Sequence, residues 1–514
     1  MAVERVIAVG GGVAGCSAAL EAAKRGLTVT LIDEHPQSPQ AMSLDTPYFY
    51  GARLAPAVGD ARVVGERVLG ANALLRACRG AGVEILTGTC CWGSFVPGPN
   101  TVNLRNAQLG LADRERSWLI DYDHLILASG SRDLVLSFPG WHLPGVLAAN
   151  GAAALLARYR AFSGNRMVVL GSGNVGLRIA RLALEQGVEV AAVVEVASEV
   201  RGDSALAAAL KHAGVPFLLS HTVEQVVGEQ AVRGIRVVPV DSSLQPVWSN
   251  VQEIACDTVC MAFGVVPNIE LAAVSGCRIV FDAARGGWVP EIDESFRTSI
   301  PSIRIVGDAA GVTESMHLDP EMAAEQGRRA ARAIAGADDR AQGHEAHLSS
   351  RDDNPLLPGA RTWLRSLVAA GGMDVVVCPC EDVTRRELLD LSPPKYLGAG
   401  NWRSSGGVTA LPPSGQASQD LVKRLTRAGT GHCQGKRCRD QVLMLLADAT
   451  GTDLSRMVPG SYRVPVRPLP LAVMWAGEET EETRRTWPIW LHPVEEGAPG
   501  YAGAKAVEAE LGKR

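Results

Sequence analysis

The 514-residue chain is poor in aromatic side chains, at 5 %. It holds no uninterrupted apolar run of spanning length, so no transmembrane segment is expected. It has no basic block, and its formal charge is −5, which argues against nucleic acid as the main partner. No Cys-x-x-Cys or Cys-x4-Cys lies near its first glycine loop, so the dithiol of a disulfide reductase is not expected. The first strand starts within a few residues of Met1, so no signal peptide is expected. The expected location is cytoplasmic, with any attachment to the inner membrane running through a partner. Eleven cysteines in a reducing compartment do not read as disulfides. Cys16, Cys78, Cys90, Cys91, Cys256, Cys260 and Cys277 stand among apolar or small residues and read as core. Histidines such as His35, His124, His142, His317 and His432 show no spacing that assembles a catalytic site, so no catalytic residue is nominated.

What the chain does have is an opening strand, loop and helix. The apolar run Val6–Val9 leads into Gly10-x-Gly12-x-x-Gly15, then into a helical stretch that Gly26 ends. A second strand, Leu27 to Ile32, ends on Asp33, followed by Glu34. Each residue type has a task. Gly10 allows the tight turn, Gly12 lets the backbone approach a pyrophosphate, and Gly15 lets the helix lie on the strand. Val13 and Ala14 open the helix, whose N–H groups and positive dipole face the phosphates. Asp33 can accept from ribose hydroxyls.

The theme returns. Arg166 to Leu170 reads as a strand, Gly171-Ser-Gly173-Asn174-Val175-Gly176 as a second loop, and Val188 to Val194 as a strand followed by Glu195. A repeated nucleotide-binding unit is more specific than either copy alone. Glu195 sits one place later than Asp33 does in its copy, which weakens its ribose role; Arg201 just beyond could instead meet a 2′-phosphate. The apolar strand Leu125–Leu127 ends in Ala128-Ser129-Gly130. Gly307-Asp308 follows another strand, and Asp308 reads as a helix cap or as a partner of a flavin ribityl chain. The remaining pieces read as a helix Leu69–Gly80, a meander within Thr101–Asp123, and a helix Asn150–Phe162.

In this order the motifs resemble the two-dinucleotide-binding-domain flavoproteins over about residues 1–340. The resemblance implies an α/β fold of two Rossmann-like domains. It implies FAD at Gly10, Gly12, Val13, Ala14, Gly15, Asp33, Glu34, Ala128, Ser129, Gly130, Gly307 and Asp308. A second nucleotide, NAD(P) or ATP, is implied at Gly171, Gly173, Asn174, Val175, Gly176 and Glu195. The family's third motif is normally Ala-Thr-Gly, and Ser129 replaces the Thr here.

Beyond a polar, Pro-containing stretch, Cys378-x-Cys380 precedes the capping box Thr384-x-x-Glu387, and Cys433-x4-Cys438 precedes a last helix. Two close thiolate pairs at helix boundaries form a metal-site pattern. Structural zinc usually takes Cys-x2-4-Cys knuckles, which this spacing fits poorly; zinc and [2Fe–2S] are both read as open, with the cluster favoured beside a flavin. The motifs Cys-x-Cys-Glu-x-Val-Thr and Gly-x-Cys-Gln-Gly-x-x-Cys resemble the bacterioferritin-associated-ferredoxin-like [2Fe–2S] domain, whose four ligands fall on Cys378, Cys380, Cys433 and Cys438.

The two resemblances together, with Phe138-Pro-Gly-Trp141-x-Leu-Pro-Gly145-Val146, point to the FAD-containing alpha subunits of hetero-oligomeric amine and amino-acid dehydrogenases. That resemblance implies three kinds of partner: a flavoprotein beta subunit that oxidises the C–N bond, an electron acceptor, and a small gamma subunit. The group commonly carries Gly-Gly-Gln after the first acid, where this chain has Ser38-Pro39-Gln40. The expected division is an FAD domain at 1–155 and 275–345, a second nucleotide domain at 156–274, a linker at 346–372, a small, mostly helical [2Fe–2S] domain at 373–450, and an irregular tail at 451–514. The tail holds Trp475, Trp487 and Trp490 and reads as packing either on a partner or on its own domains. The rival to an electron-relay role is a stand-alone NAD(P)H-dependent reductase using the second loop.

Overall fold

A computed structural model describes residues 4–36, 61–98, 101, 104–313, 319–337, 356–398, 406–416 and 418–474. His317, Ser38-Pro39-Gln40, the stretch 338–355 and the three tail tryptophans lie outside those residues.

Five parallel strands make the first sheet, in the order Ile303–Ile305, His124–Leu127, Arg5–Val9, Thr28–Asp33, Glu84–Thr87. Val6 and Ala8 pack on one face with helices Val13–Lys24 and Pro320–Ile334. Ile7 and Val9 pack on the other with Leu109 and Leu111 of an antiparallel meander, Cys90–Phe95, Gln108–Ala112 and Ser117–Asp121. Burial on both faces is why Val6–Val9 reads as a continuous apolar run rather than an alternating one.

The second sheet repeats the plan: Phe217–Leu219, Glu189–Glu195, Arg166–Leu170, Thr258–Met261, Val146–Ala148, all parallel. A three-stranded antiparallel sheet, His221–Val227, Gly234–Pro239 and Gln252–Ala255, is attached to it.

Three local readings change. The helix expected over Leu69–Gly80 is two helices, Ala61–Ala71 and Ala73–Gly80, because the Asn72 side chain caps the second by accepting from the N–H groups of Leu74 and Leu75. The helix expected from Asn150 is α-helical over Ala149–Ala153 and a π turn over Ala154–Arg158. The stretch expected as a linker contains a 16-residue helix, Leu356–Gly371. Its Ala360, Trp363, Leu364 and Leu367 are buried; the Trp363 ring lies 4.9 Å from Phe263, and Ser366 Oγ lies 2.9 Å from Thr222 Oγ1. This helix is therefore packed on the second unit.

The C-terminal part is mostly helical. A short strand pair, Val376–Cys378 with Val383–Thr384, precedes helix Arg385–Leu389, and helices Gln419–Thr426 and Arg439–Thr450 follow. The Thr384/Glu387 capping box is present in both directions. This part docks on the loop Ser137–Trp141: Trp141 Nε1 donates to Val376 O at 2.8 Å, and Gln441 Oε1 accepts from Ser137 N at 3.0 Å.

Candidate functional site

The three glycines of each loop divide their work as the motif requires. A Cβ on Gly10, at φ +114°, would sit 2.1 Å from Ala128 O, and one on Gly15 would sit 1.9 Å from Gly10 O. A Cβ on Gly12 would meet nothing within 4 Å. The first and third glycines are thus demanded by the protein's own packing, and the second faces open space where a ligand backbone can approach. The second loop repeats this: Gly171, at φ +110°, against Ala262 O at 2.4 Å, Gly176 against Gly171 O at 2.0 Å, and Gly173 against nothing.

The two acids are also equivalent. Asp33 Oδ2 accepts from Gly11 N at 2.5 Å, and Glu195 Oε2 accepts from Ser172 N at 2.8 Å. Gly11 and Ser172 are the same position of the two loops. The one-residue offset of Glu195 disappears in a β-bulge: Met167 pairs with Val190 and Val168 with Ala192, so Ala191 is the extra residue. The offset therefore does not move the acid relative to its glycines. Ser172 Oγ adds a second bond to Glu195 Oε2 at 2.8 Å, and Ala197 N donates to Oε1 at 3.0 Å. Burial pushes the Asp33 carboxyl above its ordinary value; His35 N, Arg158 and Gly11 N act in the opposite sense.

Around the first loop the structure gathers residues that the sequence reading did not single out. Asn72 Nδ2 donates to Gly11 O at 2.9 Å. Burial, reinforced by Arg158, holds His35 well below its usual value. The neutral imidazole accepts from Arg158 Nη1 at Nε2, 2.6 Å, and lies 2.6 Å from the Tyr159 hydroxyl at Nδ1. Both partners come from the end of the π turn, a signal that a plain helix reading misses. Arg467 pairs with Glu34 at 2.6 Å.

Ala128, Ser129 and Gly130 end the strand beside Gly10. Ser129 Oγ donates to Asn268 O, and Asn268 Nδ2 returns a bond to Ser129 O, both at 2.9 Å. A serine hydroxyl does here what the usual threonine could do. Asp308 lies in a 3-10 turn, Gly307–Ala309, and accepts from Ser131 Oγ at 2.7 Å. Gly307 N is held by Gln326 Oε1 at 2.8 Å. The open middle glycine, the acid beside it and a polar Gly307-Asp308 turn fit an extended dinucleotide such as FAD.

The four C-terminal cysteines come together in two pairs. Cys378 and Cys438 act most strongly on each other's titration, as do Cys380 and Cys433. The Cys380 partnership is the main reason the Cys433 thiol drops to about 5; Arg437 also lowers it. Gly429 N points at Cys378 Sγ at 3.4 Å. Cys378, Cys433 and Cys438 are buried, and Cys380 is half-buried with its sulfur 3.8 Å from His432 Nε2. Among the described residues no three or more His, Cys, Asp or Glu side chains converge as the ligand set of one metal ion. The four thiols, with the Gly429 N–H at Cys378 and buried Arg437 acting on Cys380 and Cys433, form a donor set that could hold an anionic centre.

One buried network joins the two halves of the site. Arg132, two residues beyond Gly130, donates to Glu270 Oε1 and to Asp440 Oδ2, both at 2.9 Å. Asp440 opens the helix that starts after Cys438.

Residues 4–333 match the family model described as pyridine nucleotide-disulphide oxidoreductase, and residues 412–478 match the sarcosine oxidase A3 domain. Over 497 residues the chain is 26 % identical to the A subunit of opine oxidase from Agrobacterium tumefaciens, covering 91 % of this chain and 90 % of that one. Over 501 residues it is 27 % identical to the HcnB subunit of hydrogen cyanide synthase from Pseudomonas aeruginosa, covering 91 % and 97 %. Its fold is similar to that of L-proline dehydrogenase from P. horikoshii, with a TM-score of 0.57 and 20 % identity over 92 % of this chain and 79 % of that one. The expected resemblance to alpha subunits of amine and amino-acid dehydrogenases is borne out. Among the described residues no helix is long and apolar enough to cross a membrane. The chain belongs to the pyridine nucleotide-disulphide oxidoreductase family and is an oxidoreductase.

Proposed function

We propose that this chain is the electron-relay component of a hetero-oligomeric dehydrogenase, with FAD at the first glycine loop and a [2Fe–2S] cluster on Cys378, Cys380, Cys433 and Cys438. The donor is an amine, amino acid or opine, and its C–N bond is oxidised in a partner flavoprotein. When bound, the flavin converts an electron pair into single electrons, and the iron–sulfur centre carries them singly.

The observation that carries this reading is the Arg132 bridge. It fixes the strand end beside the first loop to the helix that begins at the cysteine loop. The chain's own residues supply position and electrostatics. Gly12, Val13 and Ala14 offer an open helix N-terminus to a pyrophosphate, Asp33 and Glu34 stand at the ribose end, and Ser131 orients Asp308. Buried Arg437 acts on the Cys380 and Cys433 thiols, and Lys436 and Arg439 are its near neighbours in the sequence. Both relatives are named as subunits, one of opine oxidase and one of hydrogen cyanide synthase, which supports a role within a complex. We place the FAD domain at 1–155 and 275–345, the second nucleotide domain at 156–274 and the cluster domain at 373–450, with a protein location in the cytoplasm.

A second reading, an NAD(P)H-dependent reductase, is favoured by one observation. The bulge at Ala191 brings Glu195 into the same place as Asp33, so the second loop keeps a complete set for a nucleotide, whether NAD(P) or ATP.

Capture of the tagged chain from its native cells, with flavin, iron and sulfide quantified, tests the proposal. A co-purifying flavoprotein with about two irons and two sulfides per chain is expected. A chain that comes alone and whose flavin NAD(P)H bleaches rapidly would replace the relay reading by the reductase one.

A further inference from the structure

The segment around Val466 lies between two places that the relay reading assigns to different cofactors. Val466 is buried against the first sheet's meander side, with Ile7, Val9, Ile32 and Cys91 in the same core. Its N–H donates to Trp92 O at 2.7 Å. Its carbonyl accepts from Lys436 Nζ, and Lys436 stands between Cys433 and Cys438. The next residue, Arg467, pairs with Glu34 at 2.6 Å, and Glu34 follows Asp33. Arg467, Glu34 and Lys436 all act on the one Cys90 thiol. Upstream, the Tyr462 ring lies 3.8 Å under the guanidinium of Arg439, the residue after Cys438.

We propose that Val466 and Arg467 form a strap that couples nucleotide binding at the first loop to cluster binding at the cysteine loop. This rests on the proposed cofactors. Ordering the cysteine loop holds Lys436 on the Val466 carbonyl, which holds Arg467 on Glu34 and so presents Asp33 to the ribose. Arg467 and Lys436 are positioning residues; neither is assigned to a reacting atom. Coupling of two binding events is reciprocal, so the factor by which the cluster tightens FAD equals the factor by which FAD tightens the cluster.

The test uses the full chain. FAD affinity is measured by flavin fluorescence with the cluster loaded and after its removal by a chelator, and iron retention against the chelator is measured with and without FAD. The wild-type chain is expected to bind FAD at least ~5-fold more tightly when loaded, with slower iron loss when FAD is present. Arg467→Gln is expected to bring the affinity ratio to about one while both cofactors still bind, and Arg467→Lys to restore part of it. A wild-type chain that takes up both cofactors with a ratio of one would overturn the coupling alone. A ratio unchanged in Arg467→Gln would overturn the strap as its route. A chain that takes up neither cofactor would overturn the cofactor reading, and the coupling with it.

Discussion

Arg132 and Asp440, 308 residues apart in the chain, meet at 2.9 Å. Arg132 also holds Glu270, and the Arg132 side chain is 3 % exposed. Burial pushes Glu270 up, but Arg132, Lys436 and Arg439 outweigh it and hold the carboxyl below its ordinary value. The network is thus a paired set of charges at a domain junction, costly to break from one side. Arg132→Met removes Asp440's ion-pair partner and leaves Glu270 only the more distant Arg439, at 3.9 Å, and Lys436. It is expected to cost about 3–5 kcal/mol in urea unfolding of the full chain. Asp440→Asn keeps Glu270 as counter-ion and is expected to cost less. An Arg132→Met chain as stable as wild type would remove the junction role.

The glycine loops separate folding from binding. Gly15→Ala places a Cβ 1.9 Å from Gly10 O, so the backbone must shift. We expect a loss of at least ~2 kcal/mol of stability. Gly12 has φ −76° and open space at its Cβ position. Gly12→Ala should therefore fold as wild type does yet bind FAD at least ~10-fold more weakly, a difference of about 1.4 kcal/mol read by equilibrium dialysis. Equal FAD affinity in Gly12→Ala would mean that the ligand's phosphates do not approach there.

Asp133 should tune stability with pH. It is buried, it accepts from Asn150 N at 3.0 and 3.1 Å, and burial pushes its carboxyl up to about 7 from an ordinary 3.8. The folded state then keeps a proton that the unfolded chain has released. The stability that Asp133 contributes is full below about pH 4, is lost as pH rises toward 7, and is flat above that. The full effect is ~4 kcal/mol at 1.36 kcal/mol per unit. Asp133→Asn should flatten the profile between pH 4 and 7 in denaturant titrations. An unchanged slope would assign the pH dependence to other groups.

Serine in place of Cys378, Cys380, Cys433 or Cys438, one at a time, should abolish the visible absorption of the cluster and lower bound iron well below two per chain, with flavin content largely kept. Serine at Cys256 or Cys260, buried in the second unit, should leave iron unchanged. Iron loss on substituting Cys256 or Cys260 would contradict the assignment of ligands.

Much of this was legible in the sequence because it depends on local spacing. The glycine spacing of each loop, the acid at the end of each second strand, the capping box at Thr384 and the close cysteine motifs are each written in a short stretch of chain, even where their partners lie far along it. The rest depends on distance along the chain. Nothing near Arg132 announces Asp440, and nothing near Glu34 announces Arg467. Arg158 was hidden because a π turn shifts its direction relative to an ordinary helix. The helix Leu356–Gly371 was masked by its polar, Pro-containing neighbour, although Trp363, Leu364 and Leu367 mark one buried face. The offset of Glu195 shows the opposite case: a correct count, a weakened inference, and a bulge that no count reveals.

The relay account is tested most directly by reducing the purified, cofactor-loaded chain in a stopped-flow spectrometer. The account predicts no flavin bleaching by the amine donor or by NAD(P)H when the chain is alone. It predicts bleaching by the amine, followed by the one-electron signal of the cluster, once the partner flavoprotein is added. Rapid bleaching of the lone chain by NAD(P)H, or amine oxidation without the partner, would contradict it.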